Sequence, residues 1–323
     1  MTSIGKKVDR ETFEGLIERY DNWGRWGDDD EIGSLNFRSA EGVVAAARLV
    51  RKGRVFSLAL PLDRDGPLRD LPPRFNPIHL MTRDGGDVKR DHERGERGFQ
   101  WVDDVITMPL QAATQWDALA HVFYDAKMYN GYPTDDVHSD GAERNAMTKA
   151  ADRMVGRGVL LDVPRLTGRP WLEIDEAIEA EDLEQCCRTQ GVDVGEGDFV
   201  AVRTGRLAAA RDTGEWGPEF SAGAAAGLGV STAEFFCDRN VAAVAVDTFS
   251  TEAIPHQTAD AGIEGPLHVI LVAYAGIHLG EFWDLDELAA DCAEDGCWEF
   301  MLVAPPLTVT GAVGSPINPQ AIK

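Results

Sequence analysis

The stretch Met108-Pro-Leu-Gln-Ala-Ala-Thr-Gln-Trp-Asp-Ala-Leu-Ala-His-Val-Phe123 carries the densest chemistry in the chain. It sets Gln111, Gln115, Asp117 and His121 at intervals of four, two and four. An apolar, β-branched run over 102–110 leads into it and reads as a strand. Ala112, Ala113 and Thr114 then keep the local volume small, and a carboxylate and an imidazole follow. Asp and His are hard-to-borderline donors suited to Zn²⁺ or Mn²⁺, whereas Gln offers only a neutral carbonyl oxygen. Taken alone, the spacing is read more simply: Asp117 caps a helix and His121 is a hydrogen-bonded core residue.

A second candidate region lies far downstream, where residues 266–283 hold His268, His278 and Glu281. A helix over 266–276, with Pro266 at its start, would put His268 on its first turns and Glu281 just beyond a turn punctuated by Gly276 and Gly280. Packed beside the Asp117 strand, this segment would collect two carboxylates and two imidazoles. Such a cluster holds a divalent ion and leaves a position open for water.

Further apolar runs read as strands over 55–62, 159–163, 199–204, 241–246 and 300–304. Helical periodicity places Phe13, Leu16, Ile17 and Tyr20 on one face of 10–20, and Ser39 caps a second helix over 40–50. Residues 173–190 read as an acidic surface helix. The runs between 55 and 110 lack intervening helices, which argues for a mixed-sheet, layered α/β fold rather than a strict doubly wound sheet. With no linker or repeat, one domain over 1–323 with an N-terminal helical arm is expected. The Gly-, Pro- and charge-rich stretches 63–76 and 82–99 read as long loops, as site lids and dimer arms often are.

Composition narrows the function. Hydrophobic residues make up 44% and charged residues 27% of 323, the balance of a globular protein. The net charge of -24 opposes binding to nucleic acid or anionic membrane. No apolar run approaches the ~18–20 residues of a membrane span, and the first residues lack a signal-peptide apolar core. The five cysteines are odd in number and show no CxxC spacing, which suits reduced thiols and a cytoplasmic setting. There is no GxSxG elbow, no GxxxxGK[ST] loop and no GxGxxG after a strand.

The Gln111–His121 segment resembles the HxGTHxDxPxH signature of the cyclase family, which includes kynurenine formamidases and isatin hydrolases. Gln111 and Gln115 stand at the first two histidines, Thr114 at the Thr, Asp117 at the Asp and His121 at the last His, while Leu119 replaces the proline. The resemblance continues in Asn22-Trp-Gly-Arg-Trp-Gly27, Gly33-Ser-Leu-Asn36, Gly158-Val-Leu-Leu-Asp162, Gly197-Asp-Phe-Val-Ala-Val-Arg-Thr-Gly205 and the late His268 and Glu281. The Q-x3-Q-x-D-x3-H form is similar to a branch that includes a zinc-dependent trans-dienelactone hydrolase. The resemblance implies a swivelling β/β/α-like fold and a divalent metal, Zn or Mn, among Gln111, Gln115, Asp117, His268 and Glu281. It also implies His121 as general acid/base.

As donors, Asp117, His268 and Glu281 are the strong set, and the glutamines either bind metal or orient water or substrate. One ion rather than two is therefore expected. The implied activity is hydrolysis of a cyclic ester. An arylformamidase or isatin-type amidase, or a non-catalytic small-molecule binding relative, is the alternative. Trp23, Trp26 and Trp116 are candidates for an aromatic substrate wall, Arg25 or Arg203 for a carboxylate clamp, and His256 for a further pocket residue. The expected partner is a small-molecule substrate, with homo-oligomeric assembly.

Overall fold

The computed structural model describes residues 2–3, 6–68, 71–221 and 223–323. Its central feature is one nine-stranded sheet. In chain order its strands are β1 (Val55–Ser57), β2 (Gln115–Asp117), β3 (Val155–Asp162), β4 (Phe199–Arg203), β5 (Ala243–Val246), β6 (His278–Glu281), β7 (Glu299–Val303), β8 (Gly314–Pro316) and β9 (Gln320–Ile322). Across the sheet the order is β8-β2-β6-β5-β4-β3-β7-β9-β1. Strands β3 to β6 run parallel, and every pairing outside this block is antiparallel.

The parallel block explains the sequence pattern. Parallel strands are covered on both faces and read as continuous apolar runs. All residues of β4 and β5 are buried accordingly. The sheet curls until its far edge returns to the middle: beyond β1, Ala59 bridges Trp283, and the Leu60 amide donates to Thr114 Oγ1 at 2.8 Å. Gly280 permits this closure at β6. A Cβ there would lie 2.6 Å from Trp283 and 2.8 Å from Trp116.

Helix α1 (Arg10–Tyr20) forms as its periodicity predicts and is capped by Asp9, which accepts from the Thr12 amide at 2.8 Å. It is not a free arm, because Phe13 is fully buried and Arg10 donates to the Ala261 carbonyl. Helix α2 (Ala40–Ala47) starts at its Ser39 cap but stops three residues short of the expected end. The helix read over 266–276 is a π-helical segment, His268–Tyr274.

Three expectations need correction. Residues 173–190 are not one helix: Glu176–Ile178 is a strand and the helix proper is Ala180–Gln190, opened by Glu179 and Asp182 as a capping box. The stretch 82–99 is not only loop, since Asp84 caps a helix over Gly85–Glu93. The run at 102–110 does form a strand, Asp103–Thr107, but it pairs with Ile78–Arg83 in an exposed hairpin outside the main sheet. No helix among the described residues is long and apolar enough to cross a membrane.

Candidate metal centre

Strand alternation builds the site. Gln115 and Asp117 lie two residues apart and share one face of β2, while Trp116 points the other way. Trp116 is fully buried, packs edge-on against Trp283, and donates Nε1 to the Ala304 carbonyl. It is therefore a core anchor rather than a substrate wall. On the neighbouring strand β6, Glu281 stands opposite Gln115 in register. Gln115 Nε2 donates to Glu281 Oε2 at 3.0 Å, with a longer contact to Asp117 Oδ1 at 3.4 Å.

His268 enters from the start of the π-helical segment. One donor atom each from Asp117, His268 and Glu281 lies within 4.8 Å of the others. His268 Nε2 is 3.6 Å from Glu281 Oε1, and its Nδ1 is held by Glu252 Oε1 at 2.6 Å. Glu252 also accepts from the Leu267 and His268 amides, each at 3.2 Å, so it orients the imidazole and caps the segment that carries it. Thr251 completes the cradle by donating its amide to Glu281 Oε1 at 3.1 Å. An imidazole fixed at Nδ1 by a carboxylate presents Nε2 as a ligand, the usual outer arrangement around metal-binding histidines.

The electrostatics favour a cation here. Burial pushes the Glu281 carboxyl above its ordinary range, and the Asp117 charge adds to this. Burial alone would depress His268, yet its hydrogen bonds to Glu252 and Glu281 and their charges hold it well above the usual histidine value. Glu252 is buried too, but His268 outweighs the burial and keeps it low. Two buried polar atoms of the cluster, Gln115 Oε1 and Asp117 Oδ2, have no hydrogen-bond partner among the protein groups. Buried acceptors without donors are costly. A divalent ion would satisfy both, so the donor set fits one.

His121 sits on the 3-10 turn Leu119–His121 at the rim, with Nε2 3.8 Å from Asp117 Oδ1 and its side chain 23% exposed. The geometry brings it to the cluster without making it part of the donor group. Gln111 is buried, and its Nε2 packs where a Cβ on Gly314 would lie, 2.4 Å away. No hydrogen bond joins it to Asp117, Glu281 or His268 among the described residues. His278, three residues before Glu281, faces the other side of β6. Burial there drives its imidazole down to about 3.

The remaining candidates lie elsewhere. Trp23 stacks on Tyr274 and donates to the Ala273 carbonyl, at the end of the π-helical segment away from His268. Trp26 packs edge-on against Phe37, and the Arg25 guanidinium covers both rings. Arg203 is bound to Asp162 and Asp286, which leaves it no role as a carboxylate clamp at the cluster. His256 accepts from the Gly265 amide through Nδ1 at 3.1 Å, just ahead of the segment that carries His268.

Sequence reading missed Glu252, Thr251 and Arg74, whose Nη2 lies 3.4 Å from His121 Nε2. Glu252 and Thr251 were signalled only by a polar run, 247–252, directly after an apolar parallel strand. The carboxyl ends of such strands are where α/β proteins place ligand sites.

Comparison with known proteins agrees with this architecture. The Cyclase family profile matches residues 56–253. A crystal structure of a novel cyclase superposes with a TM-score of 0.85 at 38% identity, covering 95% of this chain and 99% of that one. Isatin hydrolase A from Ralstonia solanacearum gives a TM-score of 0.59 at 19% identity over 88% of this chain and 97% of its own. Isatin hydrolase A from Labrenzia aggregata, bound to benzyl benzoate, gives 0.57 at 19% over 87% and 97%. No curated protein matches the sequence. The profile spans both the Asp117 strand and the Glu252 loop, and the 38% identity extends over nearly the whole chain: this protein belongs to the cyclase family.

Proposed function

We propose that this chain is a metal-dependent hydrolase that opens a cyclic ester or a related small carbonyl compound. The observation that carries the reading is the grouping of Asp117, Glu281 and half-buried His268 beside Gln115, in which the unpartnered Asp117 Oδ2 and Gln115 Oε1 and the raised Glu281 favour a cation. Asp117, His268 and Glu281 would hold one divalent ion, with Gln115 Oε1 as a weaker fourth donor. Two carboxylates, an amide oxygen and one imidazole suit Mn²⁺ as well as Zn²⁺. When bound, the ion supplies acidification of water and polarisation of a carbonyl.

The protein's own groups do the rest. Glu252 fixes the imidazole of His268, and Thr251 and Gln115 fix the Glu281 carboxylate, so the donors are oriented before substrate arrives. In this reading His121, half-buried at the rim and 3.8 Å from Asp117, takes a proton from attacking water and returns it to the leaving oxygen. An imidazole exchanges protons in both directions near neutral pH.

The test is hydrolysis of dihydrocoumarin by the purified protein, followed by proton release. Turnover is expected to vanish on chelation and return with Zn²⁺ or Mn²⁺. His121→Ala should lower kcat by roughly 10²–10⁴-fold with bound metal retained. Unchanged turnover in that variant contradicts the assignment, and faster cleavage of the matching lactam would move the reading to the amidase alternative.

A further inference from the structure

One part of the fold has no core of its own. The hairpin of Ile78–Arg83 and Asp103–Thr107 lies outside the main sheet, and all its residues but the half-buried Arg83 are exposed. Helix Gly85–Glu93, in the connection between the two strands, buries none of its residues among those described. Yet this arm is not polar. Among the described residues, most of the exposed large apolar side chains lie between 75 and 106. They include Leu80, Met81, Trp101, Val105 and Ile106, and Phe99 is 88% exposed. A two-stranded hairpin is marginal in water and needs something packed against its apolar side. An apolar patch of this extent marks an interaction site.

The body carries a matching recess. A cavity of about 500 Å³ is lined by Leu60, Leu62, Pro305, Leu307, Pro316 and Ile317, and Leu62 and Leu307 are themselves exposed. Leu60 packs in the same apolar cluster as Met108, the residue after the arm, so the two features lie on one side of the molecule. Charge points the same way. Two chains of net charge -24 repel, and they meet at least cost where carboxylates are sparse. Residues 71–83 hold two arginines and no Asp or Glu, and residues 300–322 hold no charged side chain. On the second strand of the arm, Asp104 is met by His79 at 2.7 Å.

We propose that residues 78–107 are an association arm whose partner is a second copy of this chain, the arm of each copy lying in the apolar groove of the other. With a whole aromatic side chain worth about 150–250 Å², the arm offers on the order of 800 Å², the share one partner gives to a standard interface. A reciprocal exchange makes two such contacts and closes the assembly on a two-fold axis. Pairing arm to arm would instead leave the groove in water. This surface is independent of the hydrolase reading.

The experiment measures mass by sedimentation for wild type, Trp101→Lys, Leu307→Glu and an equimolar mixture of the two variants. Both replaced side chains are exposed, so each chain keeps its fold. Wild type should be dimeric at micromolar concentration, and each variant alone should dimerise on the order of 100-fold more weakly, as when a hot-spot side chain is lost from two contacts. The mixture should recover dimers. A heterodimer keeps one unaltered arm in one unaltered groove and sets the introduced lysine against the introduced glutamate in the other. A monomeric wild type, or variants that dimerise as wild type does, would overturn the proposal. So would a mixture no better associated than its components, which would take the arm out of the groove.

Hydrogen exchange on wild type needs no variant. Amides of 78–107 should be protected in the dimer and lose that protection on dilution through the monomer–dimer transition, while those of Phe199–Arg203 keep theirs. An arm that exchanges equally on both sides of the transition would contradict the proposal.

Discussion

Two groups of buried carboxylates lie on the same large sheet, and they are treated in opposite ways. At the ends of β3, β4 and β5, Asp162 and Asp247 flank Arg203, which pairs with Asp162 at 2.9 Å and with Asp286 at 2.8 Å. Asp247 is further held by the Thr204 and Gly205 amides. The neighbouring cavity of about 410 Å³ is lined by Arg165, Arg169 and Arg203, which Asp162, Asp286 and Glu176 already engage. At β2 and β6, by contrast, Asp117 and Glu281 face each other with Glu252 behind, and only His268 stands among them. The first group is closed by its own arginine. The second lacks a matching cation, and this deficit, more than the count of acidic residues, marks it as the place for a metal.

The largest expected effect breaks the closed group. Replacing Arg203 by Met leaves Asp162 with Arg165 alone and Asp247 with no cation, which should cost about 3–5 kcal/mol of stability in chemical denaturation. Metal bound per folded chain should not change. Loss of metal in that variant would mean the two groups are one system and the contrast is wrong.

The next effect sharpens the comparison through pH. Burial pushes Asp247 up to about 6 from an ordinary 3.8, against the opposing charge of Arg203. A raised carboxyl binds its proton more tightly in the folded state, so its contribution to stability is full below about 3.8 and is lost as pH rises through about 6. Asp247→Asn should therefore gain on wild type between pH 4 and 7, by the order of 3 kcal/mol, the worth of that difference. A gap between the two proteins that stays constant with pH would remove Asp247 from the account.

A smaller effect probes the open group. Glu252→Gln keeps the size but loses the charge that fixes His268 Nδ1, and should weaken metal affinity about 10- to 100-fold, as outer-shell changes do. Asp162→Asn is the control and should leave affinity where it was. Equal affinity in Glu252→Gln and wild type would show that His268 needs no such support.

The two groups were also unequally legible in sequence. The parallel strands announce themselves, because burial on both faces forces runs such as Val241-Ala-Ala-Val-Ala-Val246. Helix α1 was readable from its apolar spacing, and α2 from its Ser39 cap. Strands β2, β6 and β8 were not, because each is three or four residues long and packs polar side chains inward. Asp117, His268 and Glu281 were assembled from resemblance rather than from periodicity, which cannot pair a strand at 115 with one at 281. Glu252 and Arg74 are single charged residues in loops, and only the folded chain shows what they touch. Of the aromatic candidates, Trp116 is large enough to be needed for packing and is fully buried, whereas Trp23 and Trp26 are half-buried against Tyr274 and Phe37.

The most direct measurement is the metal content of protein purified without added metal, by mass spectrometry, for wild type, Asp117→Asn and Asp162→Asn. The account predicts about one equivalent of Zn or Mn per chain in wild type and Asp162→Asn and little in Asp117→Asn, as for a buried site that loses one of three strong donors. Wild type that takes up no Zn or Mn when they are supplied, or Asp117→Asn that retains a full equivalent, would contradict it.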